Sequence, residues 1–308
     1  MKLFALFALT LLALQAPSAK PAVTPYNDPP FKCTNCDEWN LPQAPFKIHG
    51  KTYYVGTQGL SSLLIDTGAG LIVLDGGLPQ SAPLIEANVK ALGFKVEDIK
   101  LIVNSHTHYD HAGGIAKLQR DSGATVAASA PAAKALMQGF PNAEDPQFGV
   151  DGQHGAFPRT GPVRVIKNGE AVPVGPMAIT SHFTPGHTPG GTTWTWTSCE
   201  GKDCINMVYA DSLTSVSEDG FRFLGDATHP DLTPTFRQTI AMVAALPCDV
   251  VVSAHPSFTN LFAKWKKSQA APSGPNPFID KSGCKAYADD ATKRLDARIK
   301  TEREASAK

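Results

Sequence analysis

Apolar and polar positions alternate along the chain with periods that change from segment to segment. Phe46 and Ile48 are followed, across His49-Gly50-Lys51, by Tyr53-Tyr54-Val55, which predicts a β-hairpin. Ser62–Asp66 and Leu71–Asp75 are apolar runs joined by Thr67-Gly68-Ala69-Gly70, a second hairpin. Between Ser81 and Leu92 the apolar spacing becomes helical (Leu84, Ile85, Val89, Leu92) and stops at Gly93. Ile99–Val103 reads as a short buried strand. A helix over Gly113–Arg120, a strand over Ala124–Ala128 and a helix over Ala130–Gln138 are expected next. Positions 140–162 carry glycine, proline and polar residues without a period. A loop this long within a folded region is expected to be functional or disordered. Further strands are predicted at Val163–Lys167, Met177–Phe183, Thr192–Thr197, Asn206–Ala210 and Val250–Ser253. Helices are predicted at Thr233–Ala245 and at the end of the chain, the last from about Asp280 to Lys300. Two successive β-rich stretches, each closed by helices, place the chain in the α/β class.

The ends change that picture. Lys2, the apolar run Leu3–Leu14 and the small residues Ala16, Ser18 and Ala19 describe a secretory signal, with cleavage expected near Ala19. The run is shorter than the roughly 20 apolar residues that span a bilayer. Residues 1–19 are thus expected to be a leader, 20–45 a proline-rich arm and 46–308 one domain. A periplasmic protein with no membrane attachment after cleavage follows. The 28 basic and 28 acidic residues cancel, so nothing favours nucleic acid. A monomer is expected.

Export makes the six cysteines legible, because thiols outside the cytoplasm tend to pair. Cys199 and Cys204 flank a turn-like Glu-Gly-Lys-Asp and could clip a hairpin. A Cys248–Cys284 bond would staple two late elements, and Cys33 and Cys36 are close enough for a local disulfide. Spacing alone leaves about 15 connectivities open.

The densest chemistry lies at 105–114, Ser-His-Thr-His-Tyr-Asp-His-Ala-Gly-Gly. His106 and His108, two apart on an extended segment, share a face and can address one centre. Asp110 and His111, next to the Gly113-Gly114 pair, can turn toward a second. Nitrogen and oxygen donors this close suit a borderline divalent ion such as zinc. His187 sits in a rigid loop, Thr184-Pro185-Gly186-His187-Thr188-Pro189-Gly190-Gly191, and His255 follows the apolar run Val250–Ser253. Both are taken as ligands. His49, His154, His182 and His229 lack such settings and are not. Asp211 and Ser212 end a strand and are expected to border the same cavity. Asp66 and Asp75 are read as structural, at turns or behind a ligand's second nitrogen.

The set His-x-His-x-Asp-His, a Gly-His-Thr loop and a late strand-end histidine resembles the metallo-β-lactamase superfamily. Pro185–Trp194, Ala210-Asp211-Ser212-Leu213, Leu246–Val250 and His255-Pro256 are similar to subclass B3. The resemblance covers about residue 45 to the C-terminus. It implies an αβ/βα sandwich of two mixed sheets flanked by helices, with two zinc ions at the shared sheet edge. It implies His106, His108 and His187 on one ion and Asp110, His111 and His255 on the other. It places Ser212 and Thr214 at the substrate carboxylate, and it implies the disulfides Cys199–Cys204 and Cys248–Cys284. The implied activity is hydrolysis of the β-lactam amide in penicillins, cephalosporins and carbapenems by a metal-bound hydroxide, with Asp110 orienting the nucleophile, and hence antibiotic resistance.

Three competing readings stand beside it. Another hydrolase of this superfamily, a glyoxalase-type thioesterase or a lactonase, would use a bridging aspartate near Asp211. A non-catalytic zinc protein would have closed, cysteine-rich sites. A serine mechanism would rest on Ser282-Gly283-Cys284-Lys285, a chance match with no Ser-Asp-Asn partner. Gln147, Phe148 and Trp39 are expected to cover the substrate.

Overall fold

The structure is a computed structural model that describes residues 28–149 and 155–307. The expected signal segment and His154 lie outside the described residues.

A short helix, α1 (Cys36–Trp39), precedes β1 (Phe46–His49) and β2 (Thr52–Tyr54), β3 (Leu63–Asp66) and β4 (Leu71–Leu74), the two expected hairpins. Then come α2 (Ala82–Ala91), β5 (Ile99–Val103), α3 (Tyr109–Ala112), α4 (Ile115–Ser122), β6 (Thr125–Ala128), α5 (Ala130–Gln138) and β7 (Val163–Val165). The second half holds β8 (Ala171–Val174), β9 (Met177–Phe183), β10 (Thr192–Glu200), β11 (Asp203–Ala210), α6 (Thr233–Ala245), β12 (Val250–Ser253), α7 (Leu261–Ala270) and α8 (Gly283–Ser306). Strands β1 to β7 form one sheet in chain order, and the second sheet runs β12-β11-β10-β9-β8. Both are mixed: β4 to β7 pair in parallel, as do β11 and β12.

The period-2 rule explains the layers. Leu63, Ile65, Ile72, Leu74, Leu101 and Val103 point into a core shared with Met207, Tyr209, Val250 and Val252 of the other sheet. Their neighbours Leu64, Leu71, Val73 and Ile102 face the opposite way, onto α2, α4 and α5. Val208, Ala210 and Val251 likewise face α6 and α8. Central strands buried on both faces need apolar residues at every position, which is why they read as continuous runs. Truncating one such side chain to alanine costs about 2–5 kcal/mol.

Two departures from the expected elements matter for the site. The helix expected from Gly113 begins at Ile115, preceded by the separate turn α3 that carries Asp110 and His111. Gly113 and Gly114 are demanded by close packing, since a Cβ on Gly114 would stand 2.2 Å from the Gly76 carbonyl oxygen. Backbone bonds Gly76 N–His111 O (2.8 Å) and Gly114 N–Gly77 O (3.1 Å) lock the turn to the end of β4. Strand β8 was hidden by Pro173 and by its exposed alternate positions. All three disulfides form, Cys33–Cys36, Cys199–Cys204 and Cys248–Cys284.

Candidate metal centre

The catalytic candidates all lie just past strand ends at one edge of the sandwich, where open α/β sheets place their chemistry. His106 and His108 follow β5, and Asp110 and His111 sit on α3. His187 lies between β9 and β10, Ser212 and Thr214 follow β11, and His255 follows β12. One donor atom from each of His106, His108 and His187 lies within 4.8 Å of the others, and the same holds for His106, Asp110 and His111. His255 Nε2 stands 3.2 Å from His111 Nε2 and 3.3 Å from Asp110 Oδ2, which extends the second group. His106 thus stands between two centres.

Four of the five rings are held from behind by an acceptor, and the fifth, His111, has a carboxylate nearby but beyond hydrogen-bond distance. Asp211 Oδ1 is 2.9 Å from His106 Nδ1, and Asp145 Oδ1 is 3.1 Å from His108 Nε2. The Thr214 carbonyl is 2.9 Å from His187 Nδ1, and the Gly59 carbonyl is 3.1 Å from His255 Nδ1. Asp75 Oδ2 lies 3.6 Å from His111 Nδ1. An acceptor on one ring nitrogen fixes the tautomer and leaves the other nitrogen's lone pair for an ion. Asp75 is itself fixed by Ser105 N (2.6 Å), Ser105 Oγ (2.7 Å) and Tyr209 Oη (2.7 Å).

The electrostatics suit cations. Burial, reinforced by the neighbouring imidazoles, holds His106 well below the usual range, and burial with His108 pushes His187 down to about 3. Both are therefore neutral at pH 7, the state in which an imidazole can bind an ion. Burial works to raise the Asp110 carboxyl, but His111 and His255 outweigh it and hold it well below its ordinary value. Burial likewise works to lower His111, while Asp110 and Asp75 push it up to about 10. His111 must lose that proton to bind an ion.

These residues open on a cavity of about 530 Å³ whose wall includes Trp39, Gln147, Ser212, Val216, Phe258 and Arg294. Trp39 tilts against the His255 ring at 5.2 Å. Phe148, expected beside Gln147, is exposed and stands outside that wall. Thr214 lines the cavity, with its hydroxyl 3.1 Å from His187 Nδ1. Asp211 does not border the cavity as expected. It is fully buried, with one oxygen on His106 and the Ser212 amide and the other accepting from Thr184 Oγ1 (2.9 Å). A Cβ on Gly191 would stand 2.2 Å from Asp211 Oδ2, so the glycines of this loop make room for that carboxylate. Asp145, buried in the aperiodic loop, was missed by sequence reasoning because no spacing marks it.

Three histidines not expected to bind an ion have other partners: His49 meets Ser198, His182 meets Thr195, and His229 lies in an exposed turn with Asp226 and Thr228. Ser282 donates to Asp280 and Lys285 pairs with Asp289, so neither addresses the cavity.

The chain matches the family model described as the metallo-beta-lactamase superfamily over residues 55–200. Among solved structures it is similar to the Rm3 metallo-beta-lactamase, with 46% identity and a TM-score of 0.84 over 88% of this chain and 99% of that one. It is similar to MEM-A1, a subclass B3 metallo-beta-lactamase from a soil metagenome library (45% identity, TM-score 0.80, 88% and 100% covered). BJP-1, a subclass B3 metallo-beta-lactamase of Bradyrhizobium japonicum, matches at 33% identity and a TM-score of 0.79, with 88% and 99% covered.

Proposed function

Since the chain belongs to the subclass B3 metallo-β-lactamases, we propose that it hydrolyses the β-lactam amide of penicillins, cephalosporins and carbapenems with two zinc ions, and so confers antibiotic resistance. The supporting observation is the convergence of five histidines, four of them held from behind by an acceptor on one nitrogen, with the ionised Asp110 at one edge of the sheets. All six donors are nitrogen or oxygen, as a borderline ion with open positions prefers. His106, His108 and His187 hold one ion, and Asp110, His111 and His255 the other. When bound, the ions supply an activated water at neutral pH and an electrophilic contact for the substrate carbonyl. Lowering the pKa of water from about 15.7 to about 7 is worth roughly 12 kcal/mol, against about 3–5 kcal/mol for a side-chain base.

The chain's own groups do the rest. Asp110 orients the attacking water. Ser212 Oγ, on the cavity wall, meets the substrate carboxylate. Thr214 supports His187 and lends its remaining hydrogen-bonding capacity to the same carboxylate. Trp39, Val216 and Phe258 give the ring substituents apolar surface. The thioesterase or lactonase reading needs a bridging aspartate, and Asp211 is spent on His106 and Thr184.

The same reading takes 46–308 as the catalytic domain, 20–45 as an arm and 1–19 as a leader removed on export to the periplasm, where the protein acts as a monomer. No helix of the described residues is long and apolar enough to cross a membrane. The test is nitrocefin hydrolysis before and after prolonged EDTA treatment, with rates on a penicillin, a carbapenem, a thioester and a lactone. Loss of β-lactam turnover with chelator and recovery with zinc are expected. Turnover that survives metal removal, or a preference for thioester or lactone, would overturn the proposal.

A further inference from the structure

The segment from Asn142 to Phe148 winds around one side chain. Asp145 N bonds the Asn142 carbonyl (2.9 Å), Phe148 N bonds the Asp145 carbonyl (3.0 Å), and Asn142 Nδ2 ties the segment to the Pro131 carbonyl (2.9 Å) at the start of α5. The Asp145 side chain at its centre is 1% exposed. Its Oδ1 accepts from Gln147 N (2.9 Å) and lies 3.1 Å from His108 Nε2. Its Oδ2 is buried with no hydrogen-bond partner among the described residues. A buried carboxyl group is costly to place unless it is hydrogen-bonded or paired, and the side chain set against this one is His108. An ion on His108 would strengthen that bond by polarising the ring.

We propose that Asp145 is a positioning residue that couples the 142–148 segment to the first metal centre. By accepting from His108 Nε2 it turns Nδ1 toward the ion, and by accepting from the Gln147 amide it sets the wall beside that ion. Metal affinity at the centre of His106, His108 and His187 therefore depends on the conformation of a loop that contributes no ligand. The inference rests on the two-ion reading above.

The test is stepwise zinc titration of the metal-free protein against a chromophoric chelator, for wild type, Asp145→Ala and Asp145→Asn. His108→Ala and His255→Ala serve as references for the two centres. Removing an outer partner of a metal-bound histidine typically costs 10–100-fold in affinity. Asp145→Ala is expected to lose that much at the centre His108→Ala disables, and to stay within a few-fold at the other. Asp145→Asn keeps an oxygen able to accept both bonds while removing the charge, and is expected to fall between alanine and wild type. A wild type that binds fewer than two ions would overturn the two-ion reading itself. A wild type that binds two, with both Asp145 variants folded by circular dichroism and binding both ions as tightly, would overturn only this inference.

Discussion

His111 shows how strongly neighbouring charges can act on a single buried side chain. Its imidazole sits between Asp110 and Asp75, 1% exposed, and their charge raises it to about 10 against the effect of burial. In the metal-free protein it is a cation at pH 7, so zinc binding must displace its proton. Titrating the metal-free protein with zinc at pH 7 in buffers of different ionisation enthalpy should show release of at least one proton, and His111→Ala should reduce the count by about one. His187 is the opposite case, neutral at pH 7 because burial pushes it to about 3. His187→Ala should lower β-lactam kcat/KM by more than about 100-fold, with metal analysis showing one ion lost from two.

At the scale of elements, the C-terminal helix α8 holds the segment that follows β11. Tyr287 Oη donates to the Asp211 carbonyl (2.8 Å) and accepts from Leu213 N (3.1 Å), fixing the backbone on either side of Ser212. One turn from the end, Glu302 accepts from Phe223 N and Leu224 N (both 2.9 Å) and from Arg298 Nε (2.6 Å). Burial works to raise this carboxyl, but Arg298 and the two amides outweigh it and hold it below its usual value. A carboxyl lowered on folding adds stability above its unfolded pKa of about 4.5, lost as pH falls through and below that value. Glu302→Gln should cost about 1–3 kcal/mol at pH 7. In urea melts the difference from wild type should shrink as pH drops from 5 toward 3, and a difference independent of pH would refute the assignment.

Across the whole molecule, the two sheets share one core and two outer helical layers, and the disulfides differ in how much chain they close. Cys248–Cys284 closes a separation of 36 residues between β12 and α8, whereas Cys199–Cys204 closes 5 at a hairpin tip. Loop-closure entropy gives about 4 kcal/mol for the first and about 2 kcal/mol for the second. Replacing Cys248 and Cys284 with alanine should lower denaturant stability by roughly twice as much as replacing Cys199 and Cys204. Equal losses would mean that strain or residual unfolded structure, not chain entropy, sets the effect.

Local signals in the chain determined a good deal. Continuous apolar runs marked β3, β4, β5 and β12, because strands buried on both faces admit nothing else. The ranges expected for α5 and α6 match the helices to the residue, each with a proline in its first turn. Four donors within six positions, and histidines at rigid strand ends, named the candidate ligands, since a metal site concentrates residue types that cores and surfaces use sparingly. Other features depended on packing between segments far apart in the chain. Gly113 and Gly114 looked like a helix start and are instead the place where a turn presses on the end of β4. Asp211 looked like a cavity residue, but 2.9 Å separates it from His106 Nδ1, and it lies behind the ring instead of before it. Asp145 carries no local mark, because what gives it meaning is a ring 37 positions away. The chain alone can say which side chains are able to bind an ion. Only the folded sheets decide which nitrogen each ring turns inward, because that depends on acceptors brought from distant segments.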